Sequence, residues 1–363
     1  MYLFLVILTL GAVGVIAFFQ RNTFGKNPTG RRKQRIINLS HYKNGSFQNL
    51  EETSVMRPEA SYINMIVNSF NKPASVKPPQ ILPSDKTDLN TLKAEMPTIV
   101  WFGHSSYFIQ SKNSTILVDP VMRGNASPVS FLVKPFKGTD IYSIEDLPAI
   151  DVVLLTHDHY DHLHYESIKK LAHTARQFCV SLGVGEHLEY WGVPPEKITE
   201  LDWWETKTYA GEIKFTAVPA RHFSGRSFKR GQTLWSGFAL NIHGHRLLLG
   251  GDSGYGDHFK KIGDKLGPFE VAILECGQYG KDWPLIHMLP EETVQAAKDV
   301  NAKMLMPVHW AKFDLAFHDW DDPIKRVVIK ANELGQPITT PMIGEPVIVG
   351  SSYPNKTWWK LDA

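Results

Sequence analysis

The chain opens on an uninterrupted apolar run, Tyr2 to Phe19, that contains no charged residue. At 1.5 Å per residue, a helix of that length reaches roughly 27 Å, close to the ~30 Å hydrocarbon core of a bilayer. No Lys or Arg precedes the run, and Phe18-Phe19-Gln20 is a poor signal-peptidase site. The pattern therefore predicts a transmembrane anchor over residues 1–20, with a cleaved signal peptide or a buried core helix as the alternatives. Residues 21–96 are polar and irregular, and Lys72 to Lys86 holds four prolines, which predicts a basic, Pro-rich linker or strap across the surface.

From Pro97 a regular alternation begins. Strands are predicted at Thr98–Phe102, Tyr107–Gln110, Ile116–Asp119, Val152–Thr156, Phe215–Pro219, Arg246–Gly250, Val271–Glu275 and Met304–Val308. One helix is predicted to begin at Pro290. Another is predicted with Asp322 as its cap, Pro323 as its first residue and Gly335 as its stop. Strands alternating with helices predict a layered α/β domain over residues 97–349, followed by a tail, 350–363.

Composition narrows the reading. Of 363 residues, 43% are hydrophobic and 21% charged, the balance of a folded protein, so disorder, collagen and coiled coil are excluded. Lys plus Arg number 39 against 37 Asp plus Glu, which gives no reason to expect a nucleic-acid partner. Two cysteines, Cys179 and Cys276, exclude a disulfide framework and a cysteine-built metal site. Basic residues Arg21, Lys26, Arg31, Arg32, Lys33 and Arg35 follow the apolar run. They favour a soluble part on the cytoplasmic face, and they are read either as a headgroup contact or as a solvated linker.

The 15 histidines are the unusual count. The segment Thr156-His157-Asp158-His159-Tyr160-Asp161-His162 directly follows the apolar run Val152–Leu155. In extended backbone alternate side chains share a face, so His157 and His159 can grip one ion, while Asp161 and His162 can address a second as the chain turns. Imidazole and carboxylate suit Zn²⁺. Three further apolar runs end on a metal-competent residue: Phe215–Pro219 before His222, Leu247–Leu249 before Asp252, and Met304–Val308 before His309. Five histidines and two aspartates result, and Asp252 is the natural bridge between two ions.

The order HxHxDH, then His, Asp and His, resembles the metallo-β-lactamase family over about Pro97 to Val349. The resemblance implies a four-layer αββα sandwich with a dinuclear site at one edge. Within that family the chain is similar to N-acylphosphatidylethanolamine-hydrolysing phospholipase D enzymes. The stretches concerned include Trp101-Phe102-Gly103-His104, Asp119-Pro120-Val121, Asp202-Trp203-Trp204-Glu205, Gly251-Asp252-Ser253-Gly254-Tyr255, His287 before Pro290-Glu291-Glu292, and His309-Trp310. Two departures stand out: Gly277 to Leu285 matches loosely, and Ala220–Arg226 looks more like bacterial sugar-phosphate lactonase relatives.

The resemblance implies two Zn²⁺ ions, with His157, His159 and His222 on the first, Asp161, His162 and His309 on the second, and Asp252 bridging. It implies attack of a metal-activated hydroxide on phosphorus, releasing phosphatidate and N-acylethanolamine from a membrane phospholipid. Asp252 and His287 are the catalytic candidates. His287 and Arg226 are the substrate contacts, and His104 is a supporting residue behind the ligands. A membrane partner is implied and a homodimer allowed. The alternatives are a lactonase or phosphodiesterase acting on a soluble, sugar-phosphate-like substrate, and a membrane-anchored binding protein that keeps metal for stability.

Overall fold

The computed structural model describes residues 2–92, 94–210 and 212–361. Helix α1 (Tyr2–Phe19), helix α2 (Gly30–Ile37), the hairpin β1 (Tyr42–Lys43) and β2 (Ser46–Phe47), and helix α3 (Tyr62–Phe70) precede the main domain. The first half of that domain contains β3 (Thr98–Trp101), β4 (Tyr107–Ser111), β5 (Ser114–Val118), β6 (Val152–Leu155), α4 (Tyr165–Thr174), β7 (Gln177–Ser181), α5 (Gly185–Tyr190) and β8 (Ile198–Leu201). The second half contains β9 (Thr206–Tyr209), β10 (Ile213–Pro219), β11 (Ser236–Ile242), β12 (His245–Leu249), α6 (His258–Leu266), β13 (Val271–Glu275), α7 (Pro290–Asp299), β14 (Leu305–Val308), α8 (Asp322–Leu334) and β15 (Pro346–Ile348).

Two mixed sheets form the centre. One has seven strands in the order β15-β3-β4-β5-β6-β7-β8, and the other has six in the order β14-β13-β12-β11-β10-β9. Strand alternation explains the layering. Ile99, Trp101, Ile116, Val118, Val152 and Leu154 face the core shared with Phe215, Phe238 and Leu240 of the second sheet. Their neighbours Val100, Leu117, Val153 and Leu155 face the opposite way, against Ile168 and Leu171 of α4. On the far side α7 and α8 contribute Val294, Ala297, Ile324 and Val327 to the core. The result is a mixed α/β sandwich with helices on both outer faces.

The N-terminal region is tied to the main domain by ion pairs. Arg32 donates to Glu186 (2.7 Å), Glu189 (2.5 Å) and Glu200 (2.6 Å), and Arg35 pairs with Glu205 at 2.5 Å. Much of the basic cluster is thus neutralised by carboxylates of the main domain, and Ile36 of the same helix is fully buried in an apolar cluster with Phe47, Leu182 and Trp203. The expected anchor run is helical, and at its end Phe19 packs on Phe228 (4.6 Å between ring centroids). Among the described residues no helix is long and apolar enough to cross a membrane, so the expected transmembrane anchor is not confirmed.

The α8 start is shifted by one residue: Asp321 is the cap, Asp322 opens the helix, and Gly335 ends it at φ +63°. The C-terminal tail is packed, with Trp358 stacked on Trp310 at 5.1 Å.

Candidate metal centre

Every strand that ends in a predicted ligand delivers it to the same edge of the sandwich. β6 runs into His157 from the seven-stranded sheet, while β10, β12 and β14 run into His222, Asp252 and His309 from the six-stranded one. Gly251 makes the turn into Asp252 at φ +63°, and a Cβ there would meet the Ser236 carbonyl at 2.9 Å. His309 itself sits at φ +67°, a conformation costly for a non-glycine residue.

The structure brings the seven predicted ligands together in two overlapping groups. His157 Nε2 lies 3.0 Å and His222 Nε2 3.2 Å from His159 Nδ1. His162 Nε2 lies 3.5 Å from the Asp161 carboxylate. Asp252 sits between the groups, 3.1 Å from His162 Nε2, 3.2 Å from His309 Nδ1, 3.7 Å from His157 Nε2 and 3.8 Å from His222 Nε2.

These contacts fit divalent cations. His222 Nδ1 donates to the Ile286 carbonyl (2.8 Å), so its Nε2 presents a lone pair to the cluster. His162 Nδ1 donates to Asp119 (2.7 Å), which leaves Nε2 as the ring atom facing the Asp161 and Asp252 carboxylates. Lone pairs converging at such distances repel unless positive charge lies among them. His162 Nε2, Asp252 Oδ1 and His309 Nε2 are also buried without a hydrogen-bond partner. Four-ligand sets within 4.8 Å comprise His157, His159, His222 and Asp252 on one side, and His104, Asp161, His162 and His309 on the other. The arrangement is a candidate two-metal site of a metal-dependent hydrolase fold.

Burial and neighbouring imidazoles hold His157 and His222 well below the ordinary histidine range, and burial does the same to His309. All three are thereby kept neutral, as ligation requires. Burial raises Asp252 and Asp161, but the cationic form of His162 outweighs it, and both carboxyls are held well below the usual range.

Supporting residues orient the ligands. His104 Nε2 lies 2.8 Å from the Asp161 carboxylate, and its ring belongs to the second of the two four-ligand sets. Asp119, not foreseen in this role, accepts from His162 Nδ1, the Thr156 amide (2.9 Å) and the Thr156 hydroxyl (2.6 Å). Ser105 Oγ lies 2.8 Å from His309 Nδ1. The N-terminal region joins in: Asn49 brackets the His222 backbone, donating to its carbonyl (2.8 Å) and accepting from its amide (3.0 Å). Carboxylates and carbonyls behind metal-binding imidazoles fix ring orientation.

A cavity of about 230 Å³ opens onto the cluster. His159, Asp161, His222, Asp252, His287 and His309 form its polar end, and Val55, Met65, Phe223, Trp283, Ile286 and Leu315 form apolar walls. His287 therefore lies where a substrate contact was expected; its ring stacks on His309 at 5.2 Å, and its Nδ1 lies 2.9 Å from Glu275. Burial pushes the Glu275 carboxyl up, while the Glu275 carboxylate outweighs burial to push His287 above the ordinary histidine range.

Arg226 is placed elsewhere. Its guanidinium donates to the carbonyls of Thr23 (2.7 Å), Asp158 (2.7 Å) and Leu163 (2.9 Å) and lies 3.9 Å over the Tyr160 ring. Those contacts use its donors inside the protein, and it does not line the cavity. The arginine that does is Arg230, exposed at the mouth and 5.1 Å over the Phe223 ring. Two arginines four residues apart in one loop cannot be told apart by pattern alone.

Comparison with known proteins agrees with this geometry. Residues 114–310 match the family described as Beta-lactamase superfamily domain. An uncharacterized protein of Mycobacterium tuberculosis is 36% identical over 334 residues, covering 88% of this chain and 87% of its own. N-acyl-phosphatidylethanolamine-hydrolyzing phospholipase D 1 of Caenorhabditis elegans is 31% identical over 227 residues, covering 59% of this chain and 64% of that protein. Igni18, a metallo hydrolase of Ignicoccus hospitalis, superposes with a TM-score of 0.55 over 69% of this chain and 97% of its own, at 19% identity, a likeness of fold alone. With its two-sheet sandwich and its ligands gathered at one edge, the chain belongs to the β-lactamase superfamily as a metallo-β-lactamase-fold, metal-dependent hydrolase.

Proposed function

We propose that the chain is a membrane-associated, zinc-dependent phosphodiesterase that hydrolyses N-acylphosphatidylethanolamine-type phospholipids to phosphatidate and N-acylethanolamine. The observation that carries this reading is an apolar-walled cavity ending on a histidine and aspartate cluster. The C. elegans relative's name points to the same substrate. All-histidine and carboxylate donors suit zinc. Two bound zinc ions would supply Lewis-acid polarisation of a phosphoryl oxygen and an acidified water.

The chain's own residues supply the rest. His157, His159 and His222 would hold one ion, Asp161, His162 and His309 the other, and Asp252 both. Val55, Met65, Phe223 and Trp283 exclude water and receive apolar substrate. His287 stands where a leaving alkoxide can take a proton, and Arg230 meets anionic substrate at the mouth.

Membrane association is read from α3. Ile63, Ile66, Val67 and Phe70 form a stripe at helical spacing, all exposed, while Tyr62 and Met65 of the same helix line the cavity. An apolar stripe of this kind beside a cavity mouth suits a helix lying in a lipid interface. The basic run after α1 favours the cytoplasmic face.

A smaller soluble phosphodiester or a lactone is the second reading. The cavity volume favours it, since about 230 Å³ accommodates a phosphate and a short headgroup but no complete acyl chain. Turnover of N-acylphosphatidylethanolamine in mixed micelles, beside bis(p-nitrophenyl) phosphate and a sugar-phosphate lactone, tests the choice. A kcat/KM higher for the lipid supports the first reading. Turnover of only the soluble compounds replaces it with the second.

A further inference from the structure

We infer that Glu275 is a positioning residue for His287, and that the two form a dyad serving proton transfer to the leaving group. This rests on the hydrolase reading above. Glu275 is the last residue of β13, fully buried, and belongs to none of the candidate metal groups found among the described residues. One carboxylate oxygen accepts the Ser253 amide at 2.8 Å, directly after Asp252 in the chain. The other lies 2.9 Å from His287 Nδ1. The Glu275 carbonyl accepts the Thr293 hydroxyl of α7 at 2.8 Å, which ties β13 to the helix that follows His287.

Every degree of freedom of this carboxylate is therefore taken up. An ionised carboxylate accepts only, so with Glu275 ionised Nδ1 carries the proton of that bond. With Nδ1 held, Nε2 is the ring atom left for the cavity. Ring contacts fix the plane: His287 stacks on His309 (19°, 5.2 Å) and meets His222 edge-on at 4.9 Å. A ring nitrogen of His287, an Asp252 oxygen and a ring nitrogen of His309 lie within 4.8 Å of one another. This is the base-orienter arrangement of a nucleophile triad transferred to a leaving-group acid.

In the step, the bond from phosphorus to the leaving alcohol oxygen breaks, and that oxygen takes the proton from Nε2. The water that adds to phosphorus releases a proton, which returns to the ring. Glu275 gains and loses nothing; it holds the ring and balances its charge.

The test uses the full chain loaded with zinc, with Glu275→Gln, His287→Gln and the double variant. Metal content by mass spectrometry is expected to stay at the wild-type value in all three. Glu275→Gln is expected to lower kcat about 10- to 100-fold with KM within about twofold. The double variant is expected to be no slower than His287→Gln alone. A low-field ¹H resonance from the His287 Nδ1 proton, read on the metal-free chain, is expected to vanish in both single variants. Multiplying effects in the double variant, or a resonance that survives Glu275→Gln, overturns the dyad. Metal loss in His287→Gln overturns it too, by making His287 a ligand. If wild-type enzyme turns over a soluble phosphodiester or lactone but no lipid, the substrate reading fails while the dyad is tested on that compound. If nothing is turned over, the resonance decides the dyad alone.

Discussion

Asp119 and His162 meet at 2.7 Å, carboxylate to Nδ1, both almost wholly buried. Asp119 directly follows β5 and His162 lies in the loop after its parallel neighbour β6, and Asp119 also ties down the Thr156 amide that opens the histidine motif. One carboxylate thereby sets both the course of the loop and the orientation of a ligand ring. Replacing Asp119 with Asn is expected to weaken metal binding about 10- to 100-fold while the fold survives. Chelator competition reads this directly, and an unchanged affinity would contradict the role given to Asp119.

Removal of metal is expected to destabilise the protein. Seven inward ligands repel one another when bare, and binding at 1,000 times Kd contributes about 4 kcal/mol. Zinc-loaded chain is expected to hold two ions, to melt lower after chelation, and to recover with zinc. Asp252→Asn is expected to show a smaller zinc-dependent rise in Tm. A Tm indifferent to chelation would count against the centre.

The two loop arginines are expected to separate cleanly. Arg226→Met leaves three buried carbonyls without their donor and is expected to cost about 3 kcal/mol while KM stays unchanged. Arg230→Gln is expected to change stability by less than about 0.5 kcal/mol and to raise KM for anionic substrates several-fold. Denaturant titration beside steady-state kinetics distinguishes them; the reverse pattern would contradict the structure.

His258 gives a pH dependence. Burial holds it down to about 3, below the ordinary ~6.5, and it sits 3.0 Å from the Ser253 hydroxyl. Between those values the unfolded chain carries the proton and the folded chain does not, so stability falls as pH drops from about 6.5 toward 3, by up to about 1.4 kcal/mol per unit. His258→Gln removes that slope. The variant is expected to be the less stable at pH 8, with the gap to wild type closing by about 2 kcal/mol at pH 5. Urea titrations at the two pH values check this, and a constant gap would refute it.

Much of the centre was legible because each ligand follows an apolar strand run, a pattern local to a few residues. The runs before His157, Asp252 and His309 are real strands, and their ligands converge. What was not legible depends on long-range contact. Asn49 meets the His222 backbone across 173 positions, and nothing in the polar stretch around Asn49 marks it for that. Strand β11, with Ser236, Gly237 and Asn241 among its residues, lacks a continuous apolar run, although its place between β10 and β12 is central. The N-terminal region reads as a linker or strap because it is polar, irregular and Pro-rich; the carboxylates that hold Arg32 are those of Glu186, Glu189 and Glu200, which lie more than 150 positions away.

The most direct measurement is product analysis by mass spectrometry after reaction of the zinc-loaded chain with N-acylphosphatidylethanolamine in ¹⁸O-water, beside Asp252→Asn. The account predicts one ¹⁸O in phosphatidate, none in N-acylethanolamine, and no labelled product from the variant. Label in the alcohol product, or turnover that persists in Asp252→Asn, would contradict hydrolysis at phosphorus by this centre.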